Sequence, residues 1–375
     1  MIHHWLQLSL TDGIGPILGR RLIDAAGSAE AATQLTRREL AQIEGIGLAK
    51  AQSIADSLKS AESDAILQQS KANDLGAKLI SPDDDSWPAL LKPLPAAPLV
   101  LFVMGNLEPR DLNALSIVGS RRCTHYGREQ SERFAALLAG AGFTVISGGA
   151  RGVDSAAHRG AMMHPHGRTI AVLGSGLDVP YPPENKPLFD QIITRGALIS
   201  EFPFATPPNA ENFPRRNRIV SGLSRGVLVI EADERSGALI TARLANEEHG
   251  RPVFALPGRV DNPMAAGPHL LIRDGATLVT KLEDIVTALD PLPDDVHQPE
   301  LFPTETQPEK PATAPPTNLS DRQQLILSQL GPDPAAVDDI IDKTNLPAPA
   351  VLQELTFLTL RGLLKRADGQ TYVKV

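Results

Sequence analysis

The segment FTVISGGARGVDSAAHRGAM, residues 143–162, passes from an apolar run through a glycine-rich turn into a helix-compatible stretch. An apolar run without polar alternation fits a strand buried on both faces, the usual state of strands in a parallel sheet. The turn Ser147-Gly148-Gly149-Ala150-Arg151-Gly152 falls where such a strand ends. In the helix that follows, Asp154 and His158 lie one turn apart.

Similar runs stand on either side of this segment. ALSIVG (114–119) precedes it, and TIAVLG (169–174), GALISE (196–201), GVLVIEA (226–232), PVFALPG (252–258) and ATLV (276–279) follow, each bounded by turn residues and a helical pattern. Apolar strands alternating with helices predict a doubly wound, mostly parallel sheet covered on both faces, an extended Rossmann-like α/β body over residues 79–288. Ahead of it, residues 1–78 read as helices, with apolar positions at three- and four-residue spacing in LIDAAG, AQSIADSLKSAE and AILQQS. A Gly-Ile-Gly turn occurs twice there, at 13–15 and 45–47, each time opening a helix. Beyond the body, eight prolines between 291 and 316 are interleaved with acidic residues, so 289–317 reads as a stiff, solvated linker. The tail, 318–375, shows three helical patterns and then two extended runs across an Asp-Gly turn, the outline of a winged helix.

The chain has 375 residues, 36 Lys and Arg against 44 Asp and Glu, and a formal charge of −8, which excludes a histone-like polycation. Between 290 and 310 six acids face one lysine, so that stretch alone carries −5 and the remainder is close to neutral. A hydrophobic content of 42% excludes wholesale disorder. Cys123 is the only cysteine, so neither an intramolecular disulfide nor a zinc cage of several cysteines is possible. With no run of 18 apolar residues and no basic start followed by a long apolar core, the expectation is a soluble cytoplasmic protein without a membrane partner.

Ligands of doubly wound sheets bind outside the carboxyl ends of the strands. One such end carries Gly119-Ser120-Arg121-Arg122, and the next carries the Ser147–Gly152 turn. Glycines let backbone N–H groups approach an anion, and a helix N-terminus favours negative charge. Either turn alone fits an ordinary tight connection; two neighbouring turns, each with arginine, favour a phosphate-binding crevice. Neither matches GxxxxGK[ST], nor GxGxxG with a following acid, so ATP hydrolysis and NAD chemistry are disfavoured and no cofactor or metal is expected. The densest basic segment, FPRRNRIVSGLSRG (213–226), is expected to bring Arg215, Arg216, Arg218 and Arg225 to the same crevice, with Phe213 as a stacking face. The competing reading is a surface run paired with Glu211, Glu231 or Glu234.

Other residues have plainer readings. Asp154 and His158 fit capping and positioning better than acid–base chemistry, and the Ser-Gly-Ala turn in ADERSGALITA (232–242) fits either an anion seat or a cap. His164 and His166 read as a surface loop, and Cys123 as a small packing residue. Residues 1–80 hold eight basic and nine acidic side chains, so contact with a nucleic-acid backbone at the Gly-Ile-Gly turns and contact with protein stand level. The third helix of the tail, APAVLQELTFLTLRGL, is mostly apolar with only Arg361, which suits packing or partner binding better than reading a duplex.

Taken in order, IVGSRRCTHYG, VISGGARGVDSAAHRGAM, TIAVLGSGLDVPYPPENKPLF, LISEFPFATPPNAENFPRRNRIVSGLSRGVLVIEA, SGALITARLANEEHGRPVFALPG and GPHLLIRDGA closely resemble the DprA/Smf family of DNA-processing proteins across residues 80–280. The flanks resemble that family's sterile-alpha-motif or helix-hairpin-helix domain and its winged-helix domain. The resemblance implies a homodimer that binds single-stranded DNA and loads RecA onto it during natural transformation, and a mediator rather than an enzyme. It makes Gly119, Ser120, Arg121 and Arg122, then Ser147, Gly148, Gly149, Ala150 and Arg151, then Lys186, and then Arg215, Arg216, Asn217 and Arg218 the candidate DNA contacts. Trp87-Pro88 stands where the family often has Tyr-Pro. An aromatic content of 4% implies that stacking contributes less than phosphate contact. The alternative is a nucleotide-processing enzyme of the phosphoribohydrolase type, which resembles PGGxGTxxE where this chain has ERSGALITA.

Overall fold

The computed structural model describes residues 2–289, 320–330 and 335–344, and, further along the tail, 346–348, 350, 351, 354, 355, 358, 364–368 and 371–374. All of the proline-rich stretch 289–317 except its first residue lies outside the described residues. The chain forms two compact units, 1–302 and 303–375.

The first unit is built on a nine-stranded sheet: β1 (Lys78–Ile80), β2 (Leu101–Gly105), β3 (Ala114–Val118), β4 (Thr144–Ser147), β5 (Arg168–Val172), β6 (Gly196–Ser200), β7 (Val227–Val229), β8 (Val253–Ala255) and β9 (Thr277–Leu278). Their spatial order is β1-β2-β6-β5-β4-β3-β7-β8-β9. Every pairing from β6 across to β9 is parallel, and all seven apolar runs read from the sequence are strands of this part. The two strands on the other side were not anticipated: β2 runs antiparallel to β6, and β1 antiparallel to β2.

Among the described residues twelve α-helices cover this unit: α1 (Ile2–Leu10), α2 (Pro16–Ala26), α3 (Ala29–Thr33), α4 (Arg37–Leu40), α5 (Leu48–Asp74), α6 (His125–Gly140), α7 (Val153–Met163), α8 (Lys186–Arg195), α9 (Asn212–Gly222), α10 (Gly237–Arg243), α11 (Ala266–Arg273) and α12 (Leu282–Val286). Both Gly-Ile-Gly turns act alike: Gly13 (φ +83°) and Gly45 (φ +88°) take the left-handed conformation, and Gly15 and Gly47 start α2 and α5. On one face of the sheet Phe134, Leu138, Val153 and Ala157 of α6 and α7 pack on Leu115, Ile117 and Val145. On the other, Ile219 and Val220 of α9 and Ala242 of α10 pack on Ile146, Ile170 and Val229.

The amino-terminal helices share a core with the sheet body. Trp5, Leu22 and Ile54 belong to one buried cluster with Phe102, Phe189 and Phe204. Gln68 of α5 completes the join, accepting from the Phe204 backbone N–H at 2.8 Å and donating to its carbonyl at 3.4 Å. Trp5 Nε1 donates to Asp83 at 2.6 Å.

From β3 the chain crosses by α6 to β4 on one side, and from β7 it passes by α10 to β8 on the other. The connections diverge between β3 and β7, which opens a crevice at their carboxyl ends.

The second unit contains α13 (Asp321–Gln329), β10 (Ala335–Ala336), α14 (Val337–Thr344), β11 (Leu364–Asp368) and β12 (Thr371–Lys374), the strands forming a sheet in the order β10-β12-β11. Ile326, Ile340, Val351, Leu355, Leu358 and Leu364 form its core. Val351, Leu355 and Leu358 are helical and fully buried, so this face of the third helix packs inward as its apolar pattern implied. Arg361 lies outside the described residues.

Candidate nucleic-acid interface

The crevice between β3 and β7 is a cleft of about 660 Å³. One wall is the turn Gly119–Arg122; the floor is Gly148, Ala150 and Asp154; Phe213, Arg216 and Asn217 of α9 and the start of α10 at Ser236 and Gly237 close the opposite side.

Local sequence explains why the two turns interlock. Ser120 N–H donates to the Glu231 carbonyl at 2.6 Å, its carbonyl accepts from Val153 N–H at 3.3 Å, and its Oγ accepts from Arg122 N–H at 3.0 Å. Gly152, with φ +77° and ψ −124°, opens α7 so close to the Ser120 carbonyl that a side chain there collides with backbone. Glu231, almost fully buried, accepts from Thr124 N–H at 2.7 Å, Thr124 Oγ1 at 2.8 Å and Asn262 Nδ2 at 3.1 Å. It is therefore committed to anchoring the start of α6, and pairs with none of the α9 arginines.

The arginines divide by direction. Arg216 is 4% exposed and points under the cleft floor, donating to the Gly148 carbonyl at 2.5 Å and also to that of Val172. Burial pushes its pKa down to about 10, against the attraction of Asp154, so it stays cationic. Burial in turn pushes the Asp154 carboxyl up, opposed by the charges of Arg216 and Arg121, while the carboxylate accepts from Ala150 N–H at 3.3 Å. Asp154 thus caps and braces the loop. Arg218 is drawn into a buried pair with Glu201 at 2.5 Å, so a paired run is correct for this residue, though with a different acid. Arg215 is exposed and lies over Phe202 at 5.6 Å, away from the cleft lining.

One further expectation of placement is corrected, and one candidate contact lies elsewhere. Arg225 precedes β7, so it sits at the amino ends of the strands, donating to Asn113 Oδ1 at 2.6 Å, far along the sheet from the crevice. Lys186, at the start of α8, pairs with Asp190 at 2.9 Å on the surface and does not line the cleft. Ser147 does not line the cleft, its hydroxyl donating to the Ile117 carbonyl at 2.6 Å beneath the floor residue Asp154. Gly149 (φ +66°) supports the floor from behind, where its carbonyl accepts from Asn185 Nδ2 at 2.9 Å.

At the lip, charge and aromatic faces alternate. The Arg121 guanidinium lies 4.8 Å from the Phe213 ring centre, Phe213 and Tyr181 are tilted at 52° with centres 5.8 Å apart, and Arg151 lies 5.8 Å over Tyr181. Arg151 is also ion-paired with Glu184. Tyr181 was not singled out from the sequence; the available signal was an aromatic beside prolines in the loop after an apolar strand. At the turn 236–238 the capping reading is met, with Ser236 Oγ accepting from Ala238 N–H at 3.3 Å, and Ser236 and Gly237 line the cleft.

His158 is fully buried, its Nδ1 2.7 Å from Thr169 Oγ1, and burial pushes its pKa down to about 3 with Arg216 and Arg159 adding repulsion. His249 is likewise lowered, to about 4, chiefly by burial. Below the ordinary histidine value of 6.5 the unfolded chain takes up protons that the folded chain refuses, so stability is full above pH 6.5 and declines toward pH 3–4. Urea midpoints are expected to fall between pH 7.5 and pH 5, and His158→Gln is expected to flatten that decline. An unchanged slope in the variant contradicts a role for His158.

Comparison with known proteins agrees with this fold. The family model of DNA recombination-mediator protein A matches residues 78–290, and that of the DprA winged helix domain matches 310–370. Protein Smf of Synechocystis is 34% identical, with 98% of each chain covered, and protein Smf of Escherichia coli is 40% identical over 78% of this chain and 76% of its own. The X-ray structure of DNA processing protein A from Streptococcus pneumoniae superposes with a TM-score of 0.68 at 32% identity, covering 78% of this chain and 99% of that one. The chain belongs to the DNA recombination-mediator protein A family, the DprA/Smf proteins.

Proposed function

We propose that the chain binds single-stranded DNA in the cleft between β3 and β7, with little dependence on base sequence, and as a homodimer delivers the strand to RecA without chemistry of its own. The observation that carries this reading is the row Arg121–Phe213–Tyr181–Arg151 along the lip. Alternating cations and rings meet alternating phosphates and bases, and a ring face accepts any base that is not already paired and stacked in a duplex. Backbone N–H groups of the glycine turns add phosphate donors that read no sequence. The family's description as a recombination mediator supports the RecA step.

Competition gel shifts test the reading. Single-stranded oligonucleotides of mixed sequence are expected to outcompete duplexes, with log affinity falling against log salt by about 0.7 for each phosphate neutralised. In a filament-assembly assay, the chain is expected to shorten the lag of RecA on single strands. Preference for duplex, or release of free base from a nucleoside monophosphate, overturns it.

A further inference from the structure

A second concavity, of about 830 Å³, opens at the carboxyl end of β8, lined by Thr124, Tyr126, Pro257, Arg259 and Pro263 among others. It lies beside the cleft already described. Arg122 lines the first and Thr124 the second, and two residues of chain span at most about 7 Å. The turn leading into α6 is thus their common wall.

The second concavity is built for a flat, partly apolar group carrying negative charge. Tyr126 is 43% exposed although it is a large ring on a helix that could have turned inward. Burial of part of the ring and the nearby Glu231 both hold its phenol above the ordinary tyrosine range, so it stays neutral. Pro257 and Pro263 supply rigid apolar sides. Arg259 is exposed and held in a fork by Asp261, with both bonds at 2.9 Å. An exposed pair of this kind contributes little, so a phosphate can replace the carboxylate at small cost. Glu231, near the ring, is buried and its oxygens are taken up by Thr124 and Asn262, while Glu129, a turn along α6, is exposed and lies 3.9 Å from His125 Nδ1. The loop is fixed from behind, where the His269 ring meets Gly258 at 3.0 Å.

We infer that this concavity is a second nucleotide subsite, in which a single strand leaving the first cleft past Arg122 stacks a base on Tyr126 and sets a phosphate against Arg259. The inference rests on the proposed single-strand binding and assigns the strand a direction, from β3 across β7 toward β8.

A length series of oligo-dT, from about 4 to about 16 nucleotides, the range of common single-strand site sizes, tests it on the full chain. Short oligonucleotides fill only the first cleft; longer ones reach Tyr126. Tyr126→Ala is expected to leave short-oligonucleotide affinity unchanged and to weaken the longer ones by about 5- to 150-fold, the worth of one stacked base. Tyr126→Phe is expected to bind like the parent, and Arg259→Ala to lower the salt slope for long oligonucleotides alone, by about 0.7. Equal weakening at all lengths assigns Tyr126 to the fold of α6 and overturns the subsite, as does no weakening at any length. Arg121→Ala separates the two levels: if it fails to weaken short oligonucleotides, the first cleft is misassigned, whatever Tyr126 does.

Discussion

Arg216→Ala is expected to destabilise the sheet body by about 3–5 kcal/mol, the loss typical when one member of a buried charge pair is removed. Three things fail together: the Gly148 and Val172 carbonyls lose their donor, Asp154 is left buried with only the weaker attraction of Arg121 beside it, and space opens under the cleft floor. Thermal or urea denaturation reads the effect directly. Single-strand binding is expected to fall as well, but as a consequence of the floor moving. Asp154→Asn in the Arg216→Ala background is expected to recover part of the loss, because the stranded charge is gone. Arg121→Ala, at the exposed lip, is expected to change stability by no more than about 0.5 kcal/mol. An Arg216→Ala protein with the parent's midpoint and weakened binding instead makes Arg216 a direct phosphate ligand and removes its role as a strut.

Phe213→Ala is expected to weaken single-stranded DNA binding by about 5- to 150-fold while leaving the salt slope where it was. The ring is the middle of the lip row, in contact with the Arg121 guanidinium on one side and Tyr181 on the other. Its removal deletes a stacking face worth about 1–3 kcal/mol per base and neutralises no phosphate. Arg121→Ala has the complementary signature, lowering the slope by about 0.7. Affinity measured at four or five salt concentrations separates the two variants. If Phe213→Ala flattens the slope as far as Arg121→Ala does, the ring acts only by holding the arginine in place, and stacking on bases is not what the lip provides.

The strands of the sheet body were legible because their burial on both faces leaves a run with no polar residue, as in Ala114–Val118 and Thr144–Ser147. The same signal is present in LVLFVM at 99–104, but β2 lies ahead of the alternating strand–helix units and pairs antiparallel, so that alternation does not reveal it. The glycine turns were legible as a site for a similar reason: small residues and arginine together at a strand end have few other uses. Arginine direction was harder. Arg215, Arg216 and Arg218 are near neighbours in sequence, but successive helical positions turn by about 100°, so Arg216 faces a different side of α9 from Arg215 and Arg218. Helical spacing from Phe213 selects Arg216, Asn217 and Val220, and all three line the cleft, as does Pro214 beside Phe213. Arg225 lies away from the cleft for a simpler reason, because a residue before a parallel strand sits at the end opposite its ligands. The net acidity of the chain, dominated by a stretch outside the sheet, carried no information about the cleft.

The shared core of the amino-terminal helices and the sheet bears on the order in which the molecule is made. Helices α1 to α5 leave the ribosome ahead of the sheet, yet the apolar face they present is completed by Phe189 and Phe204. Gln68 meets its backbone partners 136 residues downstream, and Trp5 meets Asp83 only after 78. Such distant closures raise contact order and slow folding, and they keep the nascent amino-terminal helices in need of protection until the sheet has been synthesised.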